Sequence, residues 1–459
     1  MSNKKLVLRN DVSYGLYDLD SKKPTLAVDL LYCRRFILFE NDAAKVLGKL
    51  IKGKTITNVL EEIRVSSSVH GEEYVRQTEE WLKPILPQIF EGFEPEDETF
   101  GSQRHPLNDG SFLYSSLEDN RLYSAICELT WRCQLRCVHC YNPDHSCNNE
   151  LSAEEWKGVI SQLRDLGIFR IILTGGDPFA RKDIWEIIEH IRSLSMSFDI
   201  LTNGQILSEP MNAERLRDLY PHSVQCSIYS SDPNIHDAIT GTKGSFDKTY
   251  RCLRLFQSYD VPTALKSPVL THNHSDLLNI NELAKSLNAT HHVDINITSK
   301  TNGDSSTKQV RLSQENMVHV LLQEGLPLYK GTEKLVRGQY TPKNPDDPLC
   351  GAGRSSISIL RNGAVTPCLA FPYVLGHITE TRIDDILKGE RMSNWLGTRW
   401  FQRKGKCTDC KISDFCSFCP GDALVETGDY LRDNNNDCEI AEARKRAYDI
   451  LTQRQAELS

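Results

Sequence analysis

No long run of lysine and arginine occurs in the 459 residues, and acidic side chains outnumber basic ones by 62 to 54, for a net charge of −8. A surface held on nucleic acid by phosphate electrostatics is therefore not expected. No stretch approaches the ~18 consecutive apolar residues that a spanning helix needs. Met1 to Asp11 lacks the apolar core of a secretion signal. Neither a membrane nor an export address is expected, and the chain reads as cytoplasmic. Internal repeats and low-complexity tracts are missing too. What is present is a 39% hydrophobic share, ample for packed cores, over a length that suggests roughly three domains at about 150 residues each.

Cysteine is abundant, at 15 residues. In a reducing compartment such thiols point to metal ligation or catalysis rather than to a disulfide framework. Cys133, Cys137 and Cys140 form one tight group, and Cys350, Cys368, Cys407, Cys410, Cys416, Cys419 and Cys438 a second. The scattered Cys33, Cys127, Cys147, Cys226 and Cys252 read as small core hydrophobes or inert thiols.

Three regions follow one another. Residues 1–90 read as a small winged-helix-like α+β module, with strand-like Lys5–Arg9, Gly15–Leu19 and Arg34–Glu40 ahead of three helices. The first helix, capped by Asn41 or Asp42, carries Val46, Leu47, Leu50 and Ile51 and stops at Gly53; Thr55 or Thr57 opens the second; Glu72–Lys83 makes the third. An acidic linker, EGFEPEDET, opens a loop-like stretch over 91–120. Over 121–310, strand-like runs alternate with amphipathic helices. The expected strands are Ala125–Leu129, Arg170–Thr174, Phe198–Thr202, Ser223–Ile228, Thr263–Pro268 and Val293–Thr298, and Ser152 with Glu155 makes a capping box before the first helix. That rhythm predicts a parallel sheet, open or barrel-like, with chemistry at the carboxyl ends of its strands. A connecting segment over 311–345 leads to a ligand-rich region over 346–459.

Cys133-Gln-Leu-Arg-Cys137-Val-His-Cys140 follows directly on the first of those strands. Three thiolates on one loop can hold three corners of a cubane iron–sulfur cluster, leaving the fourth iron without a protein ligand. Zinc, with Cys147 or His139 completing its four ligands, is the bland alternative. The CxxxCxxC spacing resembles that of the radical S-adenosylmethionine (radical SAM) enzymes. The resemblance implies that the amino and carboxylate groups of S-adenosylmethionine chelate the open iron, and that one-electron reduction then yields a 5′-deoxyadenosyl radical. It extends to Thr174-Gly175-Gly176-Asp177-Pro178, similar to the family's GGE-like motif, and to Leu201-Thr202-Asn203-Gly204, similar to its TNG segment. Ser227-Ile228-Tyr229-Ser230, His236-Asp237 and Gly241–Phe246 continue it, with Tyr229 where Asp is common and Thr240 where Arg is common. The implied nucleotide contacts are Tyr141, Gly175, Gly176, Asp177, Pro178, Thr202, Asn203, Ser227, Lys266 and Asn273, with Lys266 or Lys243 supplying the charge an Arg would bring.

The second cysteine group, Cys350-x₁₂-Gly363-x₄-Cys368, Cys407-x₂-Cys410-x₅-Cys416-x₂-Cys419 and Cys438, resembles the SPASM domain of peptide- and protein-modifying radical enzymes, one residue short between Cys416 and Cys419. A zinc ribbon is the plainer reading. The resemblance implies two auxiliary [4Fe–4S] clusters besides the first: one on Cys407, Cys410, Cys416 and Cys438, and one on Cys350, Cys368 and Cys419, whose fourth iron takes a non-Cys ligand or stays open to substrate. Such clusters can accept the electron released when a substrate radical closes a bond.

The N-terminal module is similar to the recognition element of ribosomal-peptide maturases, which captures a precursor's leader as an added strand packed on the third helix. The implied enzyme is a radical SAM oxidoreductase with a partial (β/α)6 barrel, acting on a precursor peptide and drawing electrons from a flavodoxin or ferredoxin. Its product is an oxidative crosslink, thioether or C–C/C–O. Alternatives are a peptide epimerase or excision enzyme, a formylglycine-generating sulfatase maturase, and a zinc-containing peptide-binding adaptor. Tyr229, Asp294 and Asp304 are the candidate general bases, and none stands out.

Overall fold

In the computed structural model the described residues are 5–17, 25–30, 35–66, 71–91, 121–146, 148–336 and 344–458. Alternating apolar residues in VSYGLY, TLAVDL and RFILFE fold as an antiparallel meander, β1 (Val12–Tyr17), β2 (Thr25–Leu30) and β3 (Arg35–Glu40). β2 lies in the middle, which the sequence reading missed, and β3 is a sheet edge. The expected strand at Lys5–Arg9 is a single bridge, Leu8 opposite Phe90. Three helices follow: α1 (Asn41–Ile51), α2 (Ile56–Ser66) and α3 (Gly71–Leu82). Asn41 does not cap α1: it has φ +56°, and the flanking Glu40 makes no side-chain cap. Thr55 Oγ1 does accept from Asn58 N at 3.1 Å, so Thr55 opens α2. Leu26, Val28 and Leu30 pack against Leu47, Leu50, Val59 and Leu82 in a core of the module's own. The expected linker falls almost wholly outside the described residues.

From residue 124 each helix returns the chain to the next parallel strand: β4 (Ser124–Thr130), β5 (Arg170–Gly175), β6 (Ser197–Thr202), β7 (Ser223–Ser227), β8 (Thr263–Pro268) and β9 (Thr290–Asp294). The six are neighbours in chain order and all parallel, the arrangement of a partial (β/α)6 barrel. Their buried residues, among them Ala125, Cys127, Ile171, Leu173, Phe198, Ile200, Val224, Cys226 and Leu265, face the surrounding helices and the shared core. The Ser152–Glu155 capping box forms as read. The last strand lies earlier than Val293–Thr298, because Thr290-His291-His292 supply its ladder and the chain leaves the sheet after Asp294.

The sheet does not end at β4. β10 (Ser356–Ile359) runs parallel to β4, followed by β11 (Ala364–Thr366) and β12 (Gly376–His377), for nine strands in all. One apolar core runs through both parts: Leu129 and Ile171 of the barrel share it with Ile357, Trp395 and Ile440. The module docks at the opposite end, on the amino ends of the strands. Ser197 Oγ and His222 Nδ1 meet Asp29 Oδ2 at 2.8 and 2.7 Å, Arg192 donates to Ser13 Oγ at 2.6 Å, and Arg164 lies over the Tyr14 ring at 4.0 Å.

Candidate active site

The loop after β4 is tied down on all sides. Glu150 accepts from Thr130 Oγ1 at 2.5 Å and pairs with Arg132 at 3.1 Å. Gly176 N and Asp177 N donate back to the Thr130 and Arg132 carbonyls at 2.7 and 2.9 Å. A Cβ on Gly176 would stand 2.3 Å from Arg132 O, and Gly175, at φ +136°, would put one 2.1 Å from Thr130 O. These glycines are therefore required by the approach of the cysteine loop itself. Farther on, Arg136 N and Val138 N bond to Thr240 O and Ile239 O at 2.9 and 3.0 Å. Thr240 shares a hydroxyl contact with Ser245 at 2.6 Å, a role inside the protein and away from any ligand.

So held, Cys133, Cys137 and Cys140 line one cavity of about 270 Å³ at the carboxyl ends of the strands, together with Tyr141, Thr174, Gly175, Gly176, Thr202, Asn203, Ser227 and Lys266. Asp177, Pro178 and Asn273 do not line it. Asp177 accepts from Phe179 N, Thr202 Oγ1 and Asn203 N at 2.9, 2.7 and 2.8 Å, which locks the β5 and β6 loops together. Asn273 closes a turn by bonding Leu270 N and Pro268 O at 2.7 and 3.0 Å. Lys243 is exposed and outside the cavity, so Lys266 is the lysine in place. Asp294 lines the mouth; Asp304 sits on the surface, its carboxyl held down to about 2 by Lys300 and Ser306. Gln225, Asn296 and His145 join the wall without any motif having announced them.

Burial, and then the neighbouring Cys140 and Cys133, push the Cys137 thiol up to about 12. Cys133 and Cys140 both act on Cys137, and Cys140 on Cys133, so the three thiols are neighbours. Leu135 N and Asn203 Nδ2 both donate to Cys133 Sγ at 3.4 Å, and the Tyr229 hydroxyl lies 3.9 Å from Cys137 Sγ. Burial and then Cys137 hold the Tyr229 phenol well above its usual range, so it is not a base at neutral pH. Its ring packs on His139, which burial pushes down to about 4 and so keeps neutral. Among the described residues no three His, Cys, Asp or Glu converge tightly enough for a single ion. One zinc would draw four ligands to within ~2.3 Å of itself, whereas thiolates on separate irons stand apart. The donor set fits a multi-iron centre.

The seven C-terminal cysteines sort into two neighbourhoods. Cys410 acts on the thiol of Cys407, and Cys407 on those of Cys416 and Cys438, whereas Cys350 acts on those of Cys368 and Cys419. Tyr141 stands between the barrel loop and the second of these: its hydroxyl donates to buried Glu128 at 3.4 Å, and both Cys140 and Cys368 push its phenol up after burial and Glu128. Cys127, Cys226 and Cys252 lie in the barrel core; Cys33 and Cys147 are outside the described residues.

Residues 127–284 match the radical SAM superfamily, and residues 350–411 match SPASM, an iron–sulfur cluster-binding domain. The chain thus carries a radical SAM domain followed by a SPASM domain. S-adenosylmethionine and [4Fe–4S] clusters are the cofactors of these domains. The chain is 26% identical over 327 residues to the AdoMet-dependent heme synthase of Methanosarcina barkeri, covering 67% of this chain and 93% of that one. It is 27% identical over 317 residues to the PqqA peptide cyclase of Rhizobium meliloti, covering 66% and 84%. In fold it is similar to Streptococcus suis SuiB bound to its precursor peptide SuiA, with TM-score 0.61, 15% identity, and coverage of 94% of this chain and 99% of that one. Similarity to anSMEcpe with bound AdoMet has TM-score 0.55 at 15% identity and covers 74% and 96%. No helix among the described residues is long and apolar enough to cross a membrane.

Proposed function

We propose that this radical SAM–SPASM enzyme matures a ribosomally made precursor peptide by installing an oxidative crosslink. The observation that carries the reading is the N-terminal module: among the described residues no strand pairs with the outer edge of β3, and beside it α1, α2 and α3 form a groove of about 570 Å³ lined by Val46, Val59, Ile63, Tyr74 and Trp81. An extended leader can add to such an edge through main-chain hydrogen bonds and set side chains into the groove. Tyr74 is 46% exposed there, its hydroxyl bonded to Asp42 at 3.3 Å and much of its ring left open. The likeness in fold to SuiB runs through this region, while the likeness to anSMEcpe covers only 74% of the chain, which favours a leader-guided peptide over a folded sulfatase as substrate.

In this reading Cys133, Cys137 and Cys140 hold the cluster, and Gly175, Gly176, Thr202, Asn203, Ser227 and Lys266 seat S-adenosylmethionine; together these cofactors supply hydrogen abstraction by a 5′-deoxyadenosyl radical. Lys266 places a positive charge at the cavity for a carboxylate, and Asn203 donates to the Cys133 sulfur while its backbone is fixed by Asp177. The buried strands behind the cavity exclude water from a reactive intermediate. Mass spectrometry of a precursor co-expressed with the enzyme tests this. Loss of two hydrogens per modification is expected; an unchanged mass, a truncated product, or formylglycine in a sulfatase would refute the crosslink.

A further inference from the structure

Resting on the assignment of Cys350, Cys368 and Cys419 to an auxiliary cluster, we infer that Asp422 supplies that cluster's fourth ligand through its carboxylate. Cys419 is the N-cap of the helix Pro420–Thr427, and Asp422 is its third residue. A carboxylate at that place ordinarily returns to the N-cap N–H. Here the route is closed, because Cys419 N donates to Asp437 Oδ2 at 2.6 Å. Asp422 is 1% exposed, and although the Asn296 and Asn436 amides reach its carboxyl, Oδ2 has no hydrogen-bond partner among the described residues, a costly arrangement unless something binds it.

What surrounds that oxygen is a cluster site. Asp422 N donates to Cys419 Sγ at 3.5 Å, so thiol and carboxylate leave the same turn. A Cβ on Gly421 would lie 2.0 Å from Ala370 O, showing how closely the helix start is pressed onto the turn that carries Cys368. Cys419, the half-buried turn of Cys368 and the buried Asp422 carboxylate thus share one neighbourhood. The cation acting on Asp422, Arg311, is already bonded to Glu426 at 2.9 Å. An iron with three protein thiolates would satisfy both the excess of anions and the unpartnered oxygen.

The test uses full-length chain, reconstituted anaerobically in a Cys133→Ala/Cys137→Ala/Cys140→Ala background so that only auxiliary clusters contribute. Electron paramagnetic resonance of the reduced wild-type centres should be insensitive to added β-mercaptoethanol. Asp422→Ala should alter one of the signals and make it thiol-sensitive, while Asp422→Cys should restore insensitivity with shifted g values. An unaltered signal in Asp422→Ala, or a wild-type signal already sensitive to thiol, would overturn the assignment of Asp422. Absence of any signal that Cys350→Ala removes would instead overturn the cluster reading beneath it, and the inference with it. Persistence of the signal from Cys407, Cys410, Cys416 and Cys438 shows that each variant is folded.

Discussion

The two ends of the barrel handle polar side chains in opposite ways. At the amino ends of the strands, where the N-terminal module docks, polar groups are paired across the interface: Asp29 with His222 and Ser197, Arg192 with Ser13, while Asp29 Oδ1 and Asp199 Oδ1 are left unpartnered among the described residues. At the carboxyl ends three thiols gather on one cavity, and His139 Nδ1, His145 Nδ1 and both side-chain polar atoms of Asn142 are buried without partners. Native interiors rarely leave such groups unsatisfied unless a ligand completes them. The amino-end surface is thus finished by folding, whereas the carboxyl-end surface waits for cofactors.

Substitutions at the two ends should separate accordingly. The largest effect is expected from Cys137→Ala, which should reduce 5′-deoxyadenosine formation to background by chromatography; turnover near wild type would dissolve the contrast. Gly176→Ala should follow, since its Cβ would stand 2.3 Å from the Arg132 carbonyl. It should cost about 3 kcal/mol and most of the iron in the barrel loop, read by denaturant melts and metal analysis.

At the other end, Asp29→Ala should destabilise the docked module by about 3 kcal/mol, because it strands buried His222, while leaving thiol accessibility at the cavity unchanged. Burial raises the Asp29 carboxyl, but the charge and hydrogen bond of His222 and the hydroxyl of Ser197 outweigh it, for a net shift below 3.8. This stabilisation is therefore complete above the ordinary carboxylate range and lost as pH falls through the lowered value. Acid titration of wild type against Asp29→Ala should show the two converge there. Tyr74→Ala should weaken precursor binding about tenfold, roughly 1.4 kcal/mol, with S-adenosylmethionine cleavage in the absence of precursor unaffected; isothermal titration decides. The smallest effect should come from Tyr229→Phe. Its phenol is un-ionised, so the pH profile of S-adenosylmethionine cleavage should not move, and a lost acidic or basic limb would restore Tyr229 as a proton carrier.

Legibility followed the range of the interactions. Five of the six barrel strands and the Ser152 capping box could be read because alternation and caps are local, and the Cys133–Cys140 and Cys407–Cys419 spacings because each lies on one short stretch. β2 was missed since TLAVDL becomes a strand by pairing on both sides. The last strand was displaced because its pairing with β8, not its apolar run, sets the register. Asp177 and Asn273 carried the right motifs, yet their hydrogen bonds turn them into braces. Gln225 and Asn296 gave no signal at all, being brought to the site by the curvature of the sheet.

Composition, thiol spacing and strand rhythm determined by themselves which chemistry this chain is equipped for, since a loop of three cysteines after a first strand is a local property of covalent order. Tertiary structure alone decided that the C-terminal strands extend the barrel's own sheet from β4, that the helix start carrying Cys419 and Asp422 is pressed onto the turn of Cys368, and that the N-terminal module stands at the end of the barrel away from the cavity. Those are contacts between residues far apart in sequence. Their energies depend on burial and mutual approach, which no single stretch of sequence encodes.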